Sequence, residues 1–348
     1  MKYLLYGANG YTASLIIEMT SEFGLTPILA GRTASKLEPI AKASGFESRV
    51  FGLDDIDLVD RNLEDVDVVL HCAGPFIYTA KPMMEACIRT KTHYLDITGE
   101  IDVFEMGHEF DQQAKDAGIL IMPGVGFDVV PTDSVAGYLK EKMPDASHLM
   151  LAFAQAGGST SHGTAKTMVE NLGKGGMIRK NGVLTKVPSA YKSQKIDFGV
   201  FQRHAVTIPW GDVSTSYHHT GIPNIEAYIS MPPNVIKMMK FQRNLEWLMR
   251  MGFVKNYLKR KIDKRPAGPD EQSRKTASMY VYGKVTNDAG DRLEYRIKTP
   301  EGYTLTAWMG LNITKKVLEG KSSPGFHTPA GLFGHKLVFE MPGVETVG

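Results

Sequence analysis

The sequence predicts an α/β protein: a parallel N-terminal sheet followed by a second, mixed α+β domain. Three features carry that expectation. Short apolar runs alternate with helix-like segments up to about residue 130, and a glycine turn joins the first strand to the first helix. After about Pro131 the pattern changes to longer segments whose apolar residues alternate by twos.

In order, Lys2–Gly7, Pro27–Gly31, Ser48–Gly52, Val66–Cys72, His93–Ile97 and Gly118–Met122 read as strands. Several are near-continuous Val/Ile/Leu runs, as parallel strands covered on both faces require. Tyr11–Phe23, Ser35–Ser44, Pro82–Arg89 and Val103–Ala117 read as the helices between them. In the second half, Glu226–Ser230, Met279–Val285 and Arg292–Thr299 read as strands. The last two are joined by the hairpin signal "TNDAGD", built on Asp288 and Gly290. One long helix is expected from Pro232 to about Ile262, ending in the loop "KRPAGPDEQ".

A chain of 348 residues suffices for two cored domains, at roughly 150 residues each. A net charge of +2 is too mild to argue for nucleic acid. Two cysteines, Cys72 and Cys87, set up no disulfide framework and suit a reducing compartment. The start lacks a signal-peptide pattern, and no apolar run approaches the roughly 18 residues of a membrane span. A cytoplasmic location is expected.

The stretch Gly7-Ala8-Asn9-Gly10-Tyr11-Thr12-Ala13 is a variant of the dinucleotide fingerprint of Rossmann-type domains. One glycine permits the tight turn and the next lets backbone approach a pyrophosphate. The small residue at Ala13 allows close helix packing. Gly7, Asn9, Gly10, Tyr11 and Thr12 are the candidate phosphate-binding residues, because the helix they open aims its N–H groups at an anion. In "LAGRTASKL", Arg32 stands after the second strand where an acid would select NAD, and Lys36 follows one turn on. A planar guanidinium suits a 2′-phosphate, which favours NADP.

Four further stretches, "HCAGPF" (His71–Phe76), "THYLDITGE" (Thr92–Glu100), "PGVGFDVVPTD" (Pro123–Asp133) and "GFHTPAGLFG" (Gly325–Gly334), accompany "GANGYTA" and "AGR". Together they resemble the saccharopine dehydrogenase-like superfamily, nearest to its branch of trans-acting enoyl reductases and related oxidoreductases. Asn9 stands where Thr is usual in that pattern, and Ala13 where Gly is usual; both remain small. The resemblance implies an NADP-binding domain over 1–130, a substrate domain over 131–322, and a final segment, 323–348, returning toward the first domain.

Ala73, Gly74 and Pro75 follow the fourth strand, where ligands collect beyond the carboxyl ends of a parallel sheet, and Phe76 would cover the nicotinamide. The rival reading of "GPF" is a rigid turn with a packed aromatic. Asp96, Thr98, Gly99 and Glu100 end the fifth strand on the same rim. Thr98 and Gly99 are expected to touch the cofactor. Glu100 would orient ribose or substrate, or serve as an acid near the cap of the helix after it. The resemblance to a Gly-Leu-Asp stretch of saccharopine reductases assigns Asp128 an active-site role; Asp133 is expected to cap a helix starting near Ser134.

In the second domain, "AGGSTSHGTAKT" offers Ser159, Gly163 and Thr164 for substrate and His162 as a proton donor, against the alternative of a plain glycine-rich connection. His218 and His219 are adjacent, read as strand residues facing opposite ways, and make no metal pair; no metal is expected. The 237–261 segment carries eight Lys/Arg with Glu246 as its one acid. It reads either as a helix packed on the sheet or as a contact with membrane or a lipid-like substrate.

The function expected is NADP-dependent hydride transfer to a C=C conjugated to a carbonyl, or to a C=N. The substrate is a small molecule or a lipid- or polyketide-like acyl chain. Saccharopine itself is disfavoured: it has two amino-acid ends, and only Arg179 and Arg203 stand where loops of the second domain would present an arginine. The alternative is a non-catalytic NADP-binding sensor or scaffold. A homodimer stays open.

Overall fold

A computed structural model describes every residue except Arg250, together with all side chains but those of Asn244, Leu248 and Arg250. The chain divides into two compact units, Met1–Val130 with Tyr303–Leu332, and Pro131–Gly302 with Phe333–Gly348.

The first unit runs β1 (Tyr3–Tyr6), α1 (Tyr11–Met19), β2 (Pro27–Gly31), α2 (Ala34–Ser44), β3 (Ser48–Val50), α3 (Ile56–Leu63), β4 (Val68–His71), α4 (Phe76–Thr90), β5 (His93–Asp96), α5 (Ile101–Glu109), α6 (Asp111–Ala117) and β6 (Leu120–Met122). The second holds nearly all of α7 (Val130–Lys142), then β7 (His148–Ala156), α8 (His162–Asn171), β8 (Gly176–Lys180), β9 (Val183–Val187), β10 (Ser193–Asp197), β11 (Gln202–Thr207), α9 (Asp212–Thr220) and β12 (Asn224–Ser230). It continues with α10 (Pro233–Gln242), α11 (Glu246–Met249), α12 (Gly252–Ile262), α13 (Glu271–Thr276), β13 (Ser278–Thr286) and β14 (Arg292–Pro300). The chain then returns to the first unit through α14 (Gly302–Leu318), β15 (Gly325–Phe326) and α15 (Pro329–Phe333), and ends with β16 (Glu345–Thr346) in the second.

The first sheet is parallel throughout, in the order β15-β6-β5-β4-β1-β2-β3. Tyr6, the last residue of β1, pairs with Ala30 on one side and His71 on the other, so the chain reverses its direction of growth at β1. Beyond that end lies the crevice where open α/β sheets take ligands. β1, β2 and β4 are buried along their whole lengths, which is why they read as unbroken apolar runs. The second sheet follows β10-β11-β12-β7-β13-β14-β16, with β8 pairing β12 and β9. There, among the described residues, only β12 and β7 pair in parallel. The β13–β14 hairpin turns where Gly290, at φ +90°, adopts the left-handed conformation.

Several expectations are corrected. The return to the first unit starts at Tyr303 rather than 323, and the last residues, from Phe333, belong with the second unit. In α14, Leu305, Met309, Ile313 and Val317, four apart, are all buried, and its Gly310 lies close to Leu70 of β4. That stripe makes α14 a covering helix of the parallel sheet. The helix expected from Pro82 begins at Phe76, with Pro82 inside it. The helix expected over Val103–Ala117 breaks at Phe110 into α5 and α6, and α3 was not anticipated. The single helix expected from Pro232 becomes α10, a 3₁₀ turn at Arg243–Leu245, α11 and α12. Met251 caps α12 in an extended conformation, which ends the continuous helix. Arg250, inside the 237–261 segment, lies outside the described residues.

In the second unit, Gly283 of β13 has no room for a side chain, because a Cβ there would strike Val135 and Leu139 of α7. Val135 is stiff at χ1 and cannot swing aside. Gly283→Ala is expected to cost about 1–3 kcal/mol of stability through overpacking, measured as a lower urea midpoint; an unchanged midpoint would contradict this packing.

Candidate functional site

The rim of the first unit is assembled from the turns that follow β1, β2, β4, β5 and β6. After β1, Gly7 takes φ +86°, and a Cβ on it would stand 2.8 Å from the backbone nitrogen of Ala73. Only glycine lets these two turns approach so closely. Its N–H and that of Ala8 donate to the Ala30 carbonyl at 2.8 and 3.1 Å, fixing the turn against β2. α1 then opens at Gly10 with no side-chain cap and no acid in its first turn. Asn9 is exposed, Gly10, Tyr11 and Thr12 are partly exposed, and Ala8 and Ala13 are buried. The Tyr11 ring rests edge-on against Tyr303, with centroids 5.2 Å apart. An uncapped helix start behind a glycine turn is the arrangement that receives a phosphate. Arg32 and Lys36 are both exposed just beyond β2. The residues at this end thus fit a dinucleotide bearing a further phosphate.

The turn after β4 departs from expectation in one respect. Ala73, Gly74 and Pro75 reach the surface, but Phe76 is only 9% exposed. Its ring packs edge-on against His71, at 5.4 Å, inside the core of the unit. It is packed as the aromatic of a rigid turn, with little surface left to face a ligand. His71 is itself fully buried, its charged form strongly disfavoured by burial, which holds its pKa down at about 3. Its Nε2 lies 2.9 Å from Thr79 Oγ1, and Thr79 donates to the Ala73 carbonyl at 2.7 Å, which ties the turn to α4. Thr79 carried no signal in the sequence.

After β5, the fully buried Asp96 carboxylate gathers three donors. Oδ1 accepts the N–H groups of Thr98 and Gly124, each at 2.9 Å, and Oδ2 accepts the Tyr94 hydroxyl at 2.7 Å. Burial pushes this carboxyl up to about 7, against the donors that favour its ionised form, and Glu100 adds to the rise. Thr98 is also fully buried, and its hydroxyl accepts the Glu100 N–H at 3.0 Å. Asp96 and Thr98 thus build the rim from within; neither presents surface to a ligand.

Glu100 is a cap, but of an unexpected helix. Its two carboxylate oxygens accept the N–H groups of Phe76 and Ile77, both at 2.9 Å, at the start of α4. It makes no side-chain cap for α5, which follows it. Gly99 lies against Asp128: a Cβ on Gly99 would stand 2.5 Å from Asp128 Oδ2. Asp128 sits in the turn after β6, where Val129 and Val130 donate back to the Gly126 carbonyl. Thr306 of α14 accepts the Phe127 N–H at 3.0 Å, so the returning helix holds this turn. Burial, and secondarily Glu100, pushes the Asp128 carboxyl up to about 7.

Within the second unit, Ser159 and Gly163 are exposed, while His162 and Thr164 are partly exposed at the start of α8. Ser161 caps this helix by accepting the Thr164 N–H at 3.3 Å. His162 donates from Nε2 to the Arg265 carbonyl at 2.7 Å. Asp133 does not start a helix at Ser134: α7 begins at Val130, and the buried Asp133 carboxylate pairs with His219 Nδ1 at 2.6 Å. His218 and His219 lie on a helix, α9, rather than a strand. Arg179 is buried and donates to the carbonyls of Val213 and Gly182, and Arg203 donates to the Gln155 carbonyl while lying over Phe201. Both arginines brace the fold.

Residues 3–122 match the family model described as the saccharopine dehydrogenase NADP binding domain. The resemblance read from the motifs stands, and the first unit is an NADP-binding domain. Among relatives, a human saccharopine dehydrogenase-like oxidoreductase is 26% identical over 202 residues, 51% of this chain and 47% of that protein. A trans-acting enoyl reductase of Mycobacterium bovis is 30% identical over 138 residues, 37% of this chain and 33% of that protein. The matched part is thus about half the length of the human relative or less. Among solved structures, the apo saccharopine dehydrogenase (L-Glu forming) of Saccharomyces cerevisiae aligns over 100% of both chains with a TM-score of 0.68 and 13% identity. The fold is shared with that enzyme.

Asp128 gives the rim a measurable signature. In an unfolded chain its carboxyl ionises at about 3.9, whereas in the fold it keeps its proton up to about 7. From about pH 4 to about 7 the unfolded state releases this proton first, so Asp128 lowers stability progressively across that window. Asp128→Asn removes the decline. Its stability relative to wild type is expected to rise from pH 4 to pH 7 in urea titrations and to stay level above; a flat difference throughout would contradict a proton held on Asp128.

Proposed function

We propose that the chain is an NADP-dependent oxidoreductase that reduces a C=C conjugated to a carbonyl, or a C=N, in a small or lipid-like substrate. The observation that supports this reading is that the turns carrying Gly7, the exposed Arg32 and Asp128 follow β1, β2 and β6 at one end of the same parallel sheet, within one unit. The names of the relatives, saccharopine dehydrogenase-like oxidoreductase and trans-acting enoyl reductase, support the reaction class.

In this reading Gly7, Asn9, Gly10, Tyr11 and Thr12 receive the pyrophosphate at the start of α1. Arg32 and Lys36 take the 2′-phosphate, and Ala73, Gly74, Pro75 and Gly99 line the ribose. NADPH, when bound, supplies the hydride. Asp128 gives a proton to the substrate atom that becomes basic, a role suited to a carboxyl poised near neutral pH. Glu100 positions the turn after β4 through its two backbone donors. Ser159, His162, Gly163 and Thr164 are the substrate contacts proposed in the second unit, with His162 a second candidate donor. A cytoplasmic location belongs to the same reading, since Cys72 and Cys87 are unpaired.

The test is a titration of the purified chain with NADPH and NADH, followed by NADPH oxidation against a panel of enoyl and imine compounds. Loss of the charge-assisted contact in Arg32→Ala should weaken NADPH binding about 10- to 100-fold, the equivalent of about 1.5–3 kcal/mol, and leave NADH binding unchanged. Oxidation with some panel members is expected. Tight NADPH binding with no turnover across the panel would instead indicate a sensor or scaffold, and equal affinity for both nucleotides would remove Arg32 from recognition.

A further inference from the structure

The second unit carries a surface that the cofactor rim does not use. Among the described residues, six of the fourteen exposed large hydrophobic side chains fall between Met238 and Tyr257. They are Met238, Phe241, Trp247, Met251, Phe253 and Tyr257, four of them more than half exposed aromatics. Apolar residues scattered singly are normal on a surface, whereas here six fall within twenty positions of the chain. Met238 and Phe241 are three apart on α10, and Phe253 and Tyr257 are four apart on α12, so each pair shares one helix face.

The opposite side of this segment is anchored. Ile236 and Ile262 are buried, Lys255 donates to the Glu170 carbonyl at 2.7 Å, and Lys259 pairs with the Glu170 carboxylate of α8. Arg243 donates to the carbonyls of Ser189 and Ala190, and Lys240 to the Ser193 hydroxyl at 2.7 Å. The acid of the segment, Glu246, accepts from Ser189 at 2.8 Å. Four of the segment's cations and its one acid are therefore engaged by the unit's own fold. Lys237, Arg260 and Lys261 are exposed, and Lys264 and Arg265 extend the cationic end beyond α12. Lys261 lies over the Tyr257 ring with Nζ 4.9 Å from its centroid. Asp263, which follows α12, is paired with Lys166 at 2.6 Å.

Apolar rings bordered by cations match the boundary between the phosphates and acyl chains of a lipid surface. We propose that this face docks the protein on an anionic phospholipid membrane. Phe241, Trp247, Phe253 and Tyr257 enter the headgroup boundary, while Arg260, Lys261, Lys264 and Arg265 meet the phosphates. The contact lies on the membrane, since no helix among the described residues is long and apolar enough to cross one. The proposal does not depend on the oxidoreductase reading.

Flotation of the full chain with phosphatidylcholine vesicles, with and without phosphatidylglycerol, tests it. Wild type is expected to float with the anionic vesicles, to be released by high salt, and to stay behind with phosphatidylcholine alone. The triple variant Trp247→Ser, Phe253→Ser, Tyr257→Ser should lose flotation while keeping its near-UV circular dichroism. Arg260→Gln with Lys261→Gln should weaken binding about fivefold for each cation removed, as about 1 kcal/mol per basic residue near an anionic surface implies. No flotation of wild type, or flotation unchanged in the triple variant, would overturn the proposal. So would a wild-type dimer that the triple variant converts to monomer, which would make a second copy the occupant.

Discussion

The rim of the first unit depends on one buried carboxylate. Asp96 ends β5 with no exposed surface, and its oxygens hold the backbone of Thr98 on one turn, Gly124 on the next, and the hydroxyl of Tyr94. Its own carbonyl also accepts the Val125 N–H at 2.7 Å. The turns after β5 and β6 are thereby locked to each other. From this knot Glu100 reaches the start of α4, and Asp128 comes to rest on Gly99. Charge-assisted bonds to such a group are worth about 1.5–3 kcal/mol each, and removing it would strand several buried donors at once. The burial that makes the knot strong also raises the proton affinity of Asp96 and Asp128, so structure and chemistry at this rim have one physical origin.

The parallel sheet was legible because its signals are local. Buried strands such as Tyr3–Tyr6 and Val68–His71 must be apolar along their whole length, and Gly7 must be a glycine for a turn that nearly touches Ala73. The cation at Arg32 could likewise be placed, because it follows β2 directly and is exposed. The roles of the polar rim residues were less legible, because partners far apart in sequence decide them. Glu100 precedes α5 yet caps α4, and its partners Phe76 and Ile77 lie more than twenty positions away. Phe76 reads either as a cover for the nicotinamide beyond the fourth strand or as the packed aromatic of a rigid turn; its edge-on contact with His71 in the core favours the second reading.

The return of the chain shows the same limit from another side. No helix was expected over 302–318; the buried stripe Leu305, Met309, Ile313 and Val317 emerges with the structure, and nothing local says which sheet it covers. Thr306 shows why that matters: through it α14 holds the Phe127 N–H and so the turn that carries Asp128. In the second unit, Arg179 has the composition of a carboxylate receptor, yet its guanidinium closes on carbonyls of its own unit and lies 4.2 Å from the Tyr217 ring centroid. An arginine in a sequence has no direction until its acceptors are known.

Hydrogen exchange of the backbone amides, with and without saturating NADPH, tests most directly whether this rim is where the cofactor's phosphates and ribose are held. The account predicts slowed exchange concentrated at residues 9–13 and 73–77, at the ends of β1 and β4, with no comparable change in the second sheet. Unchanged exchange at those two turns under saturation, or protection appearing only elsewhere, would contradict it.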